Sequence, residues 1–309
     1  MDVRRRRGGL AGLVLASLCA FGTSLGARAG EPQHAWHFAA NNNFDAAGAF
    51  LPSSAGFNLA DVSSRRELDL LPRGAMGLVW VGLCDGVTAK FKALVGAVIN
   101  HPKTFGFYLV DDPDPTGRWR AKCEPSNLRA ESDWIHRRRS AARTFVGLMN
   151  LGSSASPSFS TDYRPKVSHV DLFGVSPYPC RTRLSECDYD MIDRFVRASR
   201  EAGIPPSRIV PTFQSFGGGE WRTDSDDAYR LPTPSELRVM LERWNKLVPS
   251  PVFDYAYSWG SQRSDVSLVD SADLEAVFAQ RNREGSSVKL GEARGDPSAS
   301  AQRGIGLRP

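Results

Sequence analysis

Apolar and polar positions alternate along this chain in blocks. Eight short runs of apolar, β-branched or aromatic residues, each bounded by turn residues, occupy Ala35–Ala40, Gly56–Val62, Gly77–Leu83, Phe105–Val110, Thr144–Met149, Val170–Val175, Ile209–Phe216 and Phe253–Trp259. Most are continuous, the pattern of a parallel strand covered on both faces. Between them, Ala89–Asn100, Asn127–Ala142, Asp188–Ala202 and Pro234–Leu247 carry apolar residues three and four apart with charges between, which predicts amphipathic helices. Pro234-Ser235-Glu236 opens the last of these and Gly203 closes the one before it. Alternating strands and helices predict a parallel sheet, and eight strands in about 250 residues predict a single (β/α)8 TIM barrel over residues 30–280. Helices are poorly marked only between Asn41 and Pro72. No internal repeat is present.

The two ends differ from this pattern. Arg4 to Arg7 precede an apolar run from Gly9 to Leu25, and Ala27-Arg28-Ala29 offers small residues for cleavage. Residues 1–29 therefore read as a removable signal peptide, with a mature chain from Gly30 that is secreted, extracellular or periplasmic. The arginines ahead of a mild apolar core are also compatible with twin-arginine export. No later stretch approaches the length of a membrane span. Residues 281–309 are rich in Gly, Ser, Arg and Pro with few large apolar groups, which predicts a disordered tail.

Charge sharpens the choice of partner. The formal net charge is +5, but five arginines and one aspartate fall in 1–29, and six basic and three acidic residues fall in 281–309. The chain between is slightly acidic, which removes the main support for a nucleic-acid partner. A monomer is expected. Neither a phosphate loop nor a dinucleotide fingerprint is present, so no cofactor is expected. His34, His37, His101, His136 and His169 lack metal-ligand spacing, and no metal site is assigned to them. Of the five cysteines, Cys19 leaves with the signal, and Cys84, Cys123, Cys180 and Cys187 make an even set for an oxidising compartment. Three pairings can be written. Cys180–Cys187, closing a short loop, and Cys84–Cys123, joining neighbouring loops of the barrel, are preferred; a four-thiolate zinc site lacks any C-x-x-C spacing.

Barrel enzymes carry their reactive groups where strands end. Here the strand ends offer Cys84-Asp85, Asp111-Asp112-Pro113-Asp114, Ser176-Pro177-Tyr178-Pro179, Gln214-Ser215-Phe216 before Gly217-Gly218-Gly219-Glu220-Trp221, and Tyr257-Ser258-Trp259. Carboxylates can move protons at a glycosidic oxygen, and aromatic faces stack on the C–H face of a sugar ring, so the combination points to a carbohydrate. Each residue taken singly also fits an ordinary loop or core position. Asp111, Asp112 and Asp114 together fit an oxygen-ligand calcium site as well.

The segments FGFYLVDDPDP (Phe105–Pro115), VDLFGVSPYPC (Val170–Cys180), IVPTFQSFGGGEW (Ile209–Trp221) and FDYAYSWG (Phe253–Gly260) resemble strands four, six, seven and eight of barrel glycoside hydrolases. The clan is the large one with catalytic residues on strands four and seven. The chain also resembles an uncharacterised family of secreted bacterial and fungal proteins with these motifs. The resemblance implies hydrolysis of glycosidic bonds in a polysaccharide or glycoconjugate, with Asp112 as acid/base and Asp111 in the position of the preceding Asn. It puts Gln214 at or near the nucleophile, where an amide cannot form the glycosyl ester. Glu220 or Asp85 would then substitute, or an inverting base would act on water, or the site would bind sugar without cleaving it. The last case is a non-catalytic carbohydrate-binding or cell-envelope protein. Tyr178 corresponds to an aromatic residue near the reacting ring and Trp259 to a platform, while Trp221 sits beside Glu220 on a loop able to close over a ligand.

Overall fold

The computed structural model describes residues 35–223 and 226–292, with side chains to Arg283. Eight parallel strands, β1 (Trp36–Ala39), β2 (Leu59–Val62), β3 (Met76–Trp80), β4 (Thr104–Asp111), β5 (Arg143–Gly147), β6 (Leu172–Val175), β7 (Ile209–Gln214) and β8 (Phe253–Tyr257), form a closed barrel in sequence order. Closure is made by β8 on β1, in register from Trp36 opposite Phe253 to Ala39 opposite Ala256. Every apolar run has become a strand. The helices are α1 (Arg65–Leu70), α2 (Ala89–Gly96), α3 (Pro125–Arg138), α4 (Pro165–Ser168), α5 (Asp190–Glu201), α6 (Pro234–Leu247) and α7 (Ala272–Glu292). The structure is thus the (β/α)8 barrel expected from the pattern. Among the described residues, no helix is long and apolar enough to cross a membrane.

Strand alternation divides the core in two. Phe38, Leu59, Leu78, Tyr108, Phe145, Val210, Phe253 and Tyr255 fill the barrel interior. Residues of the opposite parity, such as Val79, Phe107 and Val146, pack outward against Phe91, Leu128, Ile135, Leu237 and Trp244 of the helices. Aromatic rings dominate the interior: Phe145 lies 5.1 Å from Phe253 and 4.5 Å from Tyr108. Tyr108 and Tyr255 form the last interior layer before the C-terminal mouth, so the floor of any site there is aromatic.

One boundary differs from the sequence reading. The fold does not stop at residue 280: α7 continues to Glu292, and its residues Arg281 and Asn282 belong to the packed structure. Arg281 donates to Asp254 at 2.7 Å, and the Asn282 amide donates to the Ala55 carbonyl at 2.9 Å. Asp254 points outward from β8 and also meets His37 Nδ1 at 2.9 Å. Burial opposes ionisation of Asp254, yet Arg281 and His37 outweigh it and hold the carboxyl down to about 2. Polar anchors therefore secure this part of α7, which is why apolar periodicity did not reveal it. The signal-peptide assignment and residues 293–309 lie outside the described residues.

The cysteines pair as Cys84–Cys123 and Cys180–Cys187. The first ties the loop after β3 to the loop after β4. The second closes the loop between β6 and α5.

Candidate active site

A cavity of about 740 Å³ opens at the C-terminal ends of the strands. Its chemistry starts with β4. The pairing of β4 with β5 shifts register between Tyr108 and Val110. In a regular strand, residues three apart face opposite sides; the irregularity brings Tyr108 and Asp111 together, and the Tyr108 hydroxyl donates to Asp111 Oδ1 at 2.6 Å. Asp112 follows with φ of 47°, a left-handed conformation uncommon for a residue with a side chain, while its N–H still donates to the Gly147 carbonyl at 2.9 Å. Tyr108, Asp111 and Asp112 all line the cavity.

Gly147 on β5 makes this arrangement fit. A Cβ there would collide with Asp111 Oδ1 and the Tyr108 hydroxyl. Gly147→Ala is expected to force the pair apart, lowering stability by about 1–3 kcal/mol. Thermal melts of the variant beside the wild type check this: the midpoint should fall.

At the mouth Asp111 is exposed to solvent and Asp112 is half-buried. Burial, followed by the charge of Asp111, raises Asp112 to about 7, with Arg120 pulling the other way. Asp111 is also raised, by burial, against the Tyr108 hydroxyl and Arg120. Arg120 reaches in from the following loop and its Nη1 donates to the Asp111 carbonyl at 3.3 Å. A third carboxylate, Asp61 near the end of β2, lines the same cavity. Burial raises it to about 6, opposed by the Asn41 N–H, with Glu67 adding to the rise. Asn41 N–H donates to Asp61 Oδ2 at 3.1 Å, and the Asp61 N–H donates to Asn43 Oδ1 at 2.8 Å. The chain after β1 curls to make these bonds, with Asn41 and Asn42 at φ of 69° and 52°.

Aromatic rings form the walls. Trp80, 38% exposed, stands edge-on to Tyr108 at 4.8 Å. Trp221 meets Tyr257 at 6.2 Å, and the Arg263 guanidinium lies 4.4 Å from the Trp221 ring. The Tyr257 hydroxyl donates to Gln262 Oε1 at 2.7 Å.

Of the residues expected to form the site, Asp111, Asp112 and Trp221 line the cavity, and Tyr178 stands behind it, stacked on Tyr257 at 5.8 Å. Four others lie elsewhere. Gln214 is fully buried beneath the loop after β6: its Oε1 accepts from Cys180 N at 2.8 Å, and its Nε2 faces the carbonyls of Cys180 (3.0 Å), Arg230 (3.0 Å) and Phe216 (3.3 Å). It satisfies inward-turned backbone groups and does not face the cavity. Trp259 is a core residue packed edge-on to Phe57 at 6.2 Å, because the chain turns out of the sheet after Tyr257. Glu220 is exposed, and its N–H donates to the Arg263 carbonyl at 3.0 Å. Asp85 is exposed in a loop held by Glu131, which accepts from Gly86 N–H at 2.9 Å.

Asp114 is a loop organiser. Its oxygens accept from Thr116 N–H and hydroxyl, Gly117 N–H, Trp119 N–H and Arg120 N–H at 2.7 to 3.2 Å. These donors outweigh burial and hold its carboxyl well below the usual range. That role takes it out of the calcium arrangement. Trp80 and Asp61 were not anticipated from sequence. The available signal was a single charge inside the apolar run of β2 and a Trp closing the apolar run of β3.

No known protein-family model matches the chain, and no characterised protein matches it in sequence. Solved structures do share the barrel. A chitinase from Bacteroides thetaiotaomicron superposes with a TM-score of 0.50 at 10% identity, over 81% of this chain and 97% of that one. A chitinase-like agglutinin from Robinia pseudoacacia gives 0.50 at 11% identity, over 81% and 99%. A GH18 chitinase from Cycas revoluta in complex with (GlcNAc)3 gives 0.50 at 10% identity, over 76% and 95%. At such identities the likeness establishes the fold alone.

Proposed function

We propose that this barrel is a glycoside hydrolase acting on a polysaccharide or glycoconjugate. The observation that carries the reading is one aromatic-walled cavity lined by both the Asp111–Asp112 pair and the separate carboxylate of Asp61. Asp112, raised by burial and by Asp111, holds a proton to give to the glycosidic oxygen as the bond to C1 breaks. Asp61 accepts a proton from the water that forms the new bond to C1. Asp61 near the end of β2 and Asp112 just after β4 line the same cavity, and an inverting pair needs a separation of roughly 6.5–9.5 Å to leave room for that water. The product is then a free sugar of inverted anomeric configuration. Asp111, fixed by Tyr108, holds its neighbour in place, and its charge helps keep Asp112 protonated. Trp80, Trp221 and the tyrosines offer faces for the apolar side of sugar rings.

The likeness to proteins named as chitinases makes β-1,4-linked N-acetylglucosamine oligomers the first substrates to try. Two disulfides support a location outside the cytoplasm, consistent with a mature chain from Gly30.

The rate should follow a bell-shaped pH profile. It falls below about 6 as Asp61 takes up a proton, and above about 7 as Asp112 loses one. Proton NMR of the first product formed tests the chemistry. Inversion is expected; retention would remove Asp61 as the base and point to a group on the substrate or another nucleophile. A sugar-binding protein without turnover is the second reading, favoured because no β7 side chain lines the cavity among the described residues. It expects bound oligosaccharide and no new reducing ends.

A further inference from the structure

The loop after β4 is held more firmly than its surface position requires. Asp114 at its base is fully buried and takes five donors from Thr116 to Arg120. The Asp114 carbonyl accepts from Cys123 N–H at 2.8 Å, and Cys123 is joined to Cys84. On this pinned backbone Trp119 projects into solvent, 53% exposed, the most exposed of the large hydrophobic side chains among the described residues. Arg118 lies 5.0 Å from its ring centre. The next residue, Arg120, already lines the cavity. Trp80, at the end of the neighbouring strand β3, is the other exposed tryptophan and faces the cavity itself.

We infer that Trp119 is an outer sugar subsite, so that the ligand is an extended glycan chain leaving the cavity over the rim of β3 and β4. A backbone fixed in place before the ligand arrives lowers the ordering cost of stacking the Trp119 indole on a pyranose face, and Arg118 supplies hydrogen-bond donors to ring hydroxyls. The neighbouring cavity takes the reacting sugars and Trp119 takes residues beyond them. This rests on the carbohydrate reading of the cavity, and the test separates the two.

Titration calorimetry would use β-1,4-linked N-acetylglucosamine, glucose and mannose oligomers of two and six residues. Proteins carrying Asp112→Asn prevent turnover, with and without Trp119→Ala or Trp119→Phe. Trp119→Ala should weaken binding of the hexamer that binds best by about tenfold and leave its dimer within about twofold, while Trp119→Phe retains most of the hexamer affinity. Equal hexamer affinity with and without Trp119→Ala, alongside clear dimer binding, would overturn the subsite and leave the cavity reading standing. Binding of no oligomer by the Trp119-containing protein would overturn both.

Discussion

Asp112→Asn is expected to lower turnover about a thousandfold or more while leaving oligosaccharide affinity within about threefold and raising thermal stability at alkaline pH. The loss follows from the role: an amide has no proton to give to the departing oxygen. The stability gain follows from linkage. Because Asp112 titrates near 7 in the folded protein against 3.8 for the ordinary group, the folded state keeps a proton that the unfolded chain has already released. Wild-type stability from this residue is full below about pH 4, declines as pH rises through that window, and stays reduced above it. The neutral amide removes the decline. The variant should melt higher than the wild type by about 2–4 °C at pH 8, with the difference closing towards pH 4. A solvated loop carboxylate would show neither effect, so kinetics and melts on one pair of proteins separate the two roles.

Gln214→Glu is expected to unfold the protein more readily and to create no nucleophile. Position 214 presents an amide to one backbone N–H and three backbone carbonyls. A carboxylate only accepts hydrogen bonds, so it would face three carbonyl oxygens in a fully buried site. Such a mismatch costs about 3–5 kcal/mol, a fall of roughly 6 °C or more in melting temperature. Mass spectrometry of the variant with activated glycosides should find no glycosyl–enzyme adduct. A stable Gln214→Glu protein carrying an adduct on the introduced carboxylate would restore the strand-seven nucleophile implied by resemblance.

These residues also show what the chain declares about itself. The barrel was legible because each of its strands is covered on both faces, so the apolar runs are short and uninterrupted. Helix α1 was not, since Leu68 is its only buried residue and a capping box of Ser64 and Glu67 fixes its start. Asp111 and Asp112 line the cavity because they stand where β4 ends, and Trp221 lines it from the loop that follows β7. Gln214 and Trp259 sit at strand ends too, but the direction of a side chain there depends on where the strand stops. β8 ends at Tyr257, and two residues later the Trp259 ring has turned into the core. Asp61 was hidden for the converse reason: one acid inside LADV reads as an interruption until the closed barrel turns it towards the mouth.

Release of reducing ends from a panel of polysaccharides, chitin first, measured between pH 6 and 7 for the wild type, Asp112→Asn and Asp61→Asn, decides whether this cavity cleaves glycosidic bonds. Release by the wild type and its loss in both variants is the result expected of a hydrolase that uses this cavity. No release by the wild type on any polysaccharide, or undiminished release by Asp112→Asn, would contradict it.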